Sequence, residues 1–501
     1  MTKILSARLT PYLILFFLCL FVLLKSSVAP FSNEVHYIDS SVFIYTAKQM
    51  IAGQLVYKEV FDHKGLMLYF LNIIGLKIFN GNLVGIWVLQ FFCYLLTTTF
   101  LYKTLRFFYN KKISILSITT VLLYQSVIDF GGNITETWAL PFTSIALYIF
   151  TQYFVKQKQF SVVQLFLLSS TFILTLFLRP NLVSLWGAFG IVVIFDLIQS
   201  KRWTDILFYT FYILIFCLLT IMPFFLYVYL KGIVKDSIFS MFTFNFIYSS
   251  KTGMGSGIIK AFISSLIMMG YPISTFIYLG IIVLTYILCS ILYFKEILYK
   301  KFVIAVIASI FVIAFSCSIG YSFLHYYVQF VPVLIFPVAT FFSFFVKNLP
   351  KKKWTFAVFF CIIINLYCTY KIIQDIHRNY SKDNKALYNE INKVVSQYTT
   401  SADKILVMGN DENVYLFTNR VSSSKYTYIF PIIGIDKNIE VSYLTEFDKF
   451  PLPKLIITDD HFTILSDDIR NKLTMILREH YEMLDINLEK NYSIWKLKEQ
   501  E

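Results

Sequence analysis

The sequence has few charged residues: only 15% of its 501 residues are Asp, Glu, Lys or Arg, whereas 57% are hydrophobic. A soluble globule of this length needs more polar surface than such a composition supplies. Lipid must therefore cover part of the molecule, and the sequence predicts an integral membrane protein.

The chain also lacks the motifs of several large protein classes. It has no Walker loop, dinucleotide-binding fingerprint or serine-hydrolase motif, so ATP-driven transport and hydrolysis have no support. All seven cysteines lie in hydrophobic stretches without ligand-like spacing, so no disulfide framework or zinc site is predicted. No internal repeat is present.

The formal net charge of +14 could indicate a nucleic-acid partner. The basic residues, however, form short clusters between hydrophobic stretches and do not follow one amphipathic face. This pattern is typical of loops beside a membrane. We therefore expect contact with membrane lipid and no nucleic-acid partner.

About 20 apolar residues are needed to cross the hydrocarbon core of a bilayer. Hydropathy gives about eleven such segments: 11–29, 83–102, 113–128, 138–155, 161–178, 182–199, 205–230, 271–294, 302–320, 328–346 and 354–374. The first could be a removed signal peptide, but it lacks a clear small-residue cleavage site, and a retained helix is predicted.

Basic clusters occupy every second connection between these segments, which by the positive-inside rule makes those connections cytoplasmic. The clusters are Lys103 to Lys112, Lys156 with Lys158, Lys201 with Arg202, Lys295 to Lys301, and Lys347 to Lys353. The predicted protein is a multi-pass protein of the cell membrane with a cytoplasmic N terminus and an extracytoplasmic C terminus.

Two predicted outer connections, 30–82 and 231–270, are long, and segments 41–51 and 66–79 of the first indicate helices lying along the membrane surface. After Ile373 the composition becomes charged, and short apolar runs at 404–408 and 454–458 alternate with helical patterns at 387–395 and 462–481. We predict a transmembrane domain over 1–374 and a small α/β domain over 375–501.

The candidate site residues all fall on the predicted outer face. Asp39 begins a helix, where it could be an N-cap or a general base, and the run from Asp62 begins the next apolar stretch, where capping again competes with a headgroup site. For the other candidates, a role in a functional site competes with simpler explanations. These are a solvated loop, a basic side chain that reaches the lipid phosphates, and a belt of aromatic residues at the membrane interface. A shared outer cavity would explain the whole set: Asp39, Asp62, His63, Lys64, Asp129, Glu136, Arg179 and His325.

Three stretches resemble bacterial GT-C glycosyltransferases related to the protein O-mannosyltransferases and other lipid-linked sugar transferases. The first outer loop carries the closest match, from Asp39 to Gly53 and from Val56 to Gly65. Gly131 to Glu136 and Leu178 to Asn181 are similar to later landmarks of that group. The order of elements matches over residues 1 to about 374.

The resemblance implies a GT-C fold whose first outer loop roofs a cavity, and a polyprenyl-phosphate sugar as donor. The family's catalytic aspartate corresponds to Asp39, and its second acidic position to Glu136. Arg179, Lys64 and His325 are the candidates for stabilising the leaving lipid phosphate. The expected enzyme is an inverting hexosyl- or pentosyltransferase. Ser40 departs from the acidic residue that many relatives have after the aspartate.

A donor without a nucleotide diphosphate requires no metal, so no cofactor is required, and the sequence leaves a divalent metal possible. The acceptor could be an envelope glycan, a lipid or a protein. A lipid-linked saccharide flippase or another transporter is the alternative function, although transporters carry charged groups inside their spans and often inverted repeats. A purely structural scaffold would leave the outer polar cluster unexplained.

Overall fold

A computed structural model describes residues 2–253, 273–318, 323–348, 351–381, 385–449, 451–486, 488 and 492–499. Up to residue 381 these ranges are almost entirely helical. The helices are α1 (Thr2–Leu23), α2 (Ile38–Ile51), α3 (Leu66–Ile78), α4 (Val84–Leu105), α5 (Lys111–Ile128), α6 (Thr135–Gln152), α7 (Val162–Leu176), α8 (Ser184–Gln199), α9 (Trp203–Leu230), α10 (Val234–Ile238), α11 (Phe244–Gly253), α12 (Ile273–Leu292), α13 (Lys300–Ser318), α14 (Val331–Asn348) and α15 (Lys351–Ser381).

Each of the eleven predicted hydrophobic segments coincides with one of these helices in its described part. Six helical stretches in the described ranges are long and apolar enough to cross a membrane, and four shorter apolar helices accompany them. The protein is a multi-pass helical membrane protein. The count of eleven crossing helices stays a prediction.

The helices pack in pairs distant in sequence, with α4 against α6, α7 against α9, α8 against α13 and α5 against α14. Their shared core is rich in aromatic rings, including fully buried Tyr153, Phe189 and Tyr327. By contrast, α9 exposes many large apolar side chains, such as Leu207, Leu218 and Met222. In a membrane protein such a face lies against lipid, which explains why it needs no protein partner.

The first outer loop forms the two predicted helices, α2 and α3. The interpretation of α2 as a helix resting on the membrane surface is incomplete, because its side chains are buried almost all round, from Ser40 to Ala47. One side packs on α3, and the other side is covered by the C-terminal part of the chain. There the Tyr45 hydroxyl accepts a hydrogen bond from the Ser422 backbone N–H at 2.9 Å.

The C-terminal part is an α/β domain with a five-stranded sheet in the order β2-β1-β3-β5-β4. Strands β1 (Lys404–Met408), β2 (Val421–Ser422) and β3 (Leu455–Thr458) are parallel, and β4 (Tyr481–Met483) and β5 (Ser493–Leu497) complete it antiparallel. Its helices are α16 (Ala386–Tyr398), α17 (Asn413–Thr418), α18 (Lys437–Leu444) and α19 (Asp467–His480). The predicted helix over 462–481 begins later, at Asp467.

The second of the two long connections predicted to be outside contains α10 and α11, and its residues 254–270 lie outside the described ranges. The side chain of Asn245 in α11 donates a hydrogen bond to the backbone carbonyl of His63 at 2.7 Å. The two long outer connections therefore meet over the candidate site.

Candidate active site

A cavity of about 170 Å³ lies between the first outer loop, the segment before α14 and the C-terminal domain. We call it the Asp39 cavity. Five of the eight predicted site residues line it, namely Asp39, Asp62, His63, Lys64 and His325. Residues separated by nearly 300 positions in the sequence thus share one wall, as a common outer cavity requires.

Asp39 lies in the first turn of α2, which begins at Ile38. The prediction that Asp39 caps this helix is wrong, because the N-cap residue is Tyr37 and no side chain makes a capping hydrogen bond there. The carboxylate is 34% exposed and lies 3.5 Å from Nε2 of His325. Asp62 and Glu136 are each only 1% exposed, so Asp39 is the accessible carboxylate of these three.

Asp62, His63 and Lys64 form a directed chain of hydrogen bonds. The Lys64 ammonium donates to Nε2 of His63 at 2.7 Å, and Nδ1 of His63 lies 3.1 Å from the Tyr428 hydroxyl. That hydroxyl donates to Oδ1 of Asp62 at 2.8 Å. Because an ammonium only donates and an ionised carboxylate only accepts, the proton of neutral His63 belongs on Nδ1.

The electrostatics support this assignment. Burial lowers the pKa of His63 well below its usual range, and the charges of Lys64 and Arg179 act in the same direction. Burial also lowers the pKa of Lys64, while nearby carboxylates oppose that shift. A neutral histidine therefore holds a lysine ammonium at the cavity wall.

Gly65 brings this chain against the loop that carries Arg179. Its backbone N–H donates to the carbonyl of Leu178 at 3.0 Å, and a Cβ atom at this position would lie 1.9 Å from the carbonyl oxygen of Phe177. Only glycine permits this approach. The Asp62–Gly65 and Leu178–Asn181 motifs are thus packed on each other, as their joint occurrence in the resemblance suggests.

Glu136 and Arg179 form a buried pair behind the cavity wall. Nη1 of Arg179 lies 3.0 Å from Oε1 of Glu136, and its guanidinium lies 4.1 Å above the ring of Tyr326. Tyr326 lines the Asp39 cavity, whereas Glu136 and Arg179 do not. Glu136 therefore holds the guanidinium, and Arg179 acts on the cavity from one layer behind its surface.

His325 lies beside Asp39 in the cavity wall. Its ring is stacked on Phe323 with centroids 5.7 Å apart and meets Tyr326 edge-on at 4.8 Å. The residue is 4% exposed, and its Nδ1 atom has no hydrogen-bond partner among the described residues.

Asp129 lies elsewhere. Its carboxylate pairs with the Lys25 ammonium at 2.8 Å and accepts a hydrogen bond from the Tyr94 hydroxyl at 2.7 Å. Both charged side chains are buried, and Asp129 does not line the Asp39 cavity. The structure therefore separates it from the residues of the Asp39 cavity and gives it a partner two residues beyond the end of α1.

The C-terminal domain contributes wall residues that were not predicted: Asn410, Tyr428, Phe430, Pro431 and His461. A sequence signal for two of them was present. Asn410 follows β1 and His461 follows β3, and the carboxyl ends of parallel strands meet at one edge of a sheet, where ligands commonly bind. Tyr428 lies in a loop and had no such signal.

The described residues do not form a metal site: within those ranges no three His, Cys, Asp or Glu side chains come close enough together to bind one ion. The Ser40 hydroxyl, at the position that is acidic in many GT-C proteins, accepts a hydrogen bond from Asn133 at 2.9 Å.

Solved structures share this architecture. A crystal structure of ArnT from Cupriavidus metallidurans bound to undecaprenyl phosphate is similar with a TM-score of 0.62, at 10% identity over 98% of both chains. A crystal structure of the same ArnT in the apo state has a TM-score of 0.63, at 11% identity over 97% of this chain and 98% of the ArnT chain. The Archaeoglobus fulgidus oligosaccharyltransferase tethered to an acceptor peptide has a TM-score of 0.52, at 12% identity over 97% of this chain and 74% of the oligosaccharyltransferase chain.

These similarities define the chain as a membrane protein of the GT-C fold, with a small C-terminal sheet domain. A search of curated proteins found no match. A family profile described as "Putative competence-induced protein Ccs4 N-terminal domain" matches residues 2–352, and the chain belongs to this family.

Proposed function

We propose that the protein is a glycosyltransferase that moves a sugar from a polyprenyl-phosphate donor to a cell-envelope acceptor on the outer face of the membrane. The observation that carries the proposal is the accessible carboxylate of Asp39 in a cavity whose lining also includes the Lys64 side chain. The undecaprenyl phosphate bound to the similar ArnT fold supports a donor of this class.

In the proposed reaction, an acceptor hydroxyl oxygen attacks the anomeric carbon while the bond from that carbon to the lipid-phosphate oxygen breaks. Asp39 takes the hydroxyl proton, and the phosphate leaves on the lipid with the bonding electrons. Lys64 and His325 stabilise its charge at the cavity wall, and Arg179 does so from behind Tyr326. A single displacement of this kind inverts the anomeric configuration.

The proposed division of the chain assigns donor chemistry to residues 1–374 and the roof of the cavity to residues 375–501. Glu412 links the two parts, since its buried carboxyl group accepts a hydrogen bond from Ser41 of α2 at 3.4 Å. Burial raises the pKa of Glu412 well above its usual range. A neutral carboxyl group at this contact avoids a second buried charge behind Asp39.

Transfer is expected to fail at alkaline pH when Lys64 loses its proton. Because the pKa of Lys64 is lowered, the ammonium and its stabilisation of the phosphate are lost at a lower pH than for an ordinary lysine. Arginine stays protonated, so Lys64→Arg should extend activity to higher pH. The measurement is a pH–rate profile, with the exposed Lys58→Arg as control; identical alkaline limbs for all three proteins would contradict the assignment.

The proposed orientation has the N terminus in the cytoplasm and the C-terminal domain outside, because basic clusters occupy alternate connections. Topology reporters fused after Lys112 and after Glu501 should report cytoplasm and exterior, respectively. A cytoplasmic signal from the C-terminal fusion would place the Asp39 cavity on the wrong face for this donor.

The function itself is tested by mass spectrometry of envelope glycans from a deletion strain. We expect the deletion strain to make a glycan that lacks one sugar residue. The wild-type gene should restore that sugar, and an Asp39→Asn allele should not. An unchanged set of envelope glycans would argue against the proposal.

A further inference from the structure

A second, larger cavity of about 580 Å³ lies between the transmembrane part and the C-terminal domain. We call it the interdomain cleft. Tyr37, Ile38, Asn410 and His461 line both the cleft and the Asp39 cavity. The two spaces therefore adjoin at the N-terminal end of α2, beside Asp39. A molecule held in the cleft could there present a hydroxyl group to the Asp39 carboxylate.

The two spaces differ in charge. The cleft wall carries five carboxylates, from Glu34, Asp375, Asp411, Asp459 and Asp460, against two permanent cations, Lys25 and Arg378. The Asp39 cavity instead has the ammonium of Lys64 against the carboxylates of Asp39 and Asp62 in its wall, and the paired Arg179 and Glu136 behind it. The larger excess of carboxylates makes the cleft the less favourable of the two spaces for a phosphate group. The cleft thus fits a partner without negative charge.

His461 lies at the junction, held by Asp459. Nδ1 of His461 is 3.4 Å from Oδ1 of Asp459, and the same carboxylate accepts the backbone N–H groups of Asn410 and His461, each at 2.8 Å. A Cβ on Gly409 would lie 2.2 Å from Cγ of Asp459, so only glycine lets these strand ends meet. The hydrogen bond to Asp459 raises the pKa of His461, whereas burial acts in the opposite direction.

We propose that the interdomain cleft is the acceptor subsite, that it takes a neutral oligosaccharide, and that His461 is a positioning residue that holds the acceptor towards Asp39. The two oxygens of a carboxylate match adjacent hydroxyl groups of a sugar ring, and the Tyr37 ring offers an apolar face. The inference rests on the proposed function and adds the class of acceptor to it.

Binding can be measured without any transfer. The probes are oligosaccharides released from the source strain's envelope and separated by anion exchange into neutral and anionic pools. Saturation-transfer NMR with the full chain in lipid nanodiscs should show binding of the neutral pool only. His461→Ala and Asp375→Asn should weaken it about tenfold or more, the scale of one hydrogen bond to a charged group. His480→Ala and Asp467→Asn, which lie outside both spaces, should leave it unchanged.

The kinetic signature separates positioning from catalysis. In a transfer assay His461→Ala should raise the acceptor KM about tenfold with kcat within a few-fold, whereas Asp39→Asn should lower kcat and keep neutral-pool binding. Retained undecaprenyl-phosphate binding, measured by native mass spectrometry, shows that a variant is folded. If His461→Ala is not folded, His461→Gln takes its place.

Preferential binding of the anionic pool or of envelope peptides, or unchanged neutral-pool binding in both His461 variants, would overturn the inference. Neutral-pool binding that depends on His461, in a protein that transfers no sugar from a polyprenyl-phosphate donor, would instead refute the proposed function and leave the cleft as a saccharide site.

Discussion

Replacing Asp39 with asparagine is expected to lower sugar transfer by roughly 100-fold or more, the usual scale for losing a general base. The amide has nearly the same size but cannot accept the proton of the attacking hydroxyl. Folding should change little, because Asp39 makes no capping hydrogen bond and its interaction with the helix dipole contributes only about 0.3–1 kcal/mol. The measurement is transfer by purified protein at matched expression.

The matched control is Asp236→Asn, which removes a carboxylate from the first turn of helix α10, outside both cavities. It should transfer sugar at the wild-type rate. If Asp39→Asn retained activity within a few-fold of wild type, Asp39 would have no part in the chemistry and its charge would serve only the helix.

Arg179→Met is expected to yield little folded protein. The substitution leaves the Glu136 carboxylate buried without its partner, at a cost of about 3–5 kcal/mol. Adding Glu136→Gln removes that charge, so the double variant should fold again. Its transfer should still be lower by about 100-fold or more, because the cation that stabilises the leaving phosphate is absent. Fluorescence-detected size-exclusion chromatography measures folding, and the transfer assay measures activity.

Glu136→Gln alone separates the two members of the pair. The glutamine side chain keeps an oxygen that can accept from the guanidinium, so the protein should fold and lose far less activity than Asp39→Asn. A single Glu136 variant as inactive as Asp39→Asn would show that Glu136 acts directly on the reactants. A fully active double variant would remove Arg179 from the mechanism.

The helices of the transmembrane part could be predicted because their signal is local. A run of apolar residues reports its own length and hydropathy, and each predicted segment coincides with a helix. The Asp62–Gly65 motif was also visible, since its four residues are consecutive. What a local pattern could not show was the direction of the hydrogen bonds from Lys64 through His63, because that direction depends on Tyr428, more than 360 positions away.

Partners distant in sequence explain the other differences. Asp129 belongs to the predicted set because a carboxylate near a membrane is unusual, but its partner is Lys25, two residues beyond the end of α1. The surface position expected for α2 overlooked the C-terminal domain, which covers that helix through contacts such as the hydrogen bond from the Ser422 backbone to the Tyr45 hydroxyl. Neither pairing leaves a periodic trace in the sequence.

A transfer assay with defined donors distinguishes a lipid-linked sugar from a nucleotide sugar. Purified protein in nanodiscs is given an envelope extract from a deletion strain and a panel of radiolabelled polyprenyl-phosphate hexoses and pentoses, with the matching nucleotide sugars in parallel. We expect wild-type protein to transfer label from one lipid-linked sugar and from no nucleotide sugar. Asp39→Asn protein should transfer no label. Direct transfer from a nucleotide sugar without a lipid intermediate would contradict the proposed donor.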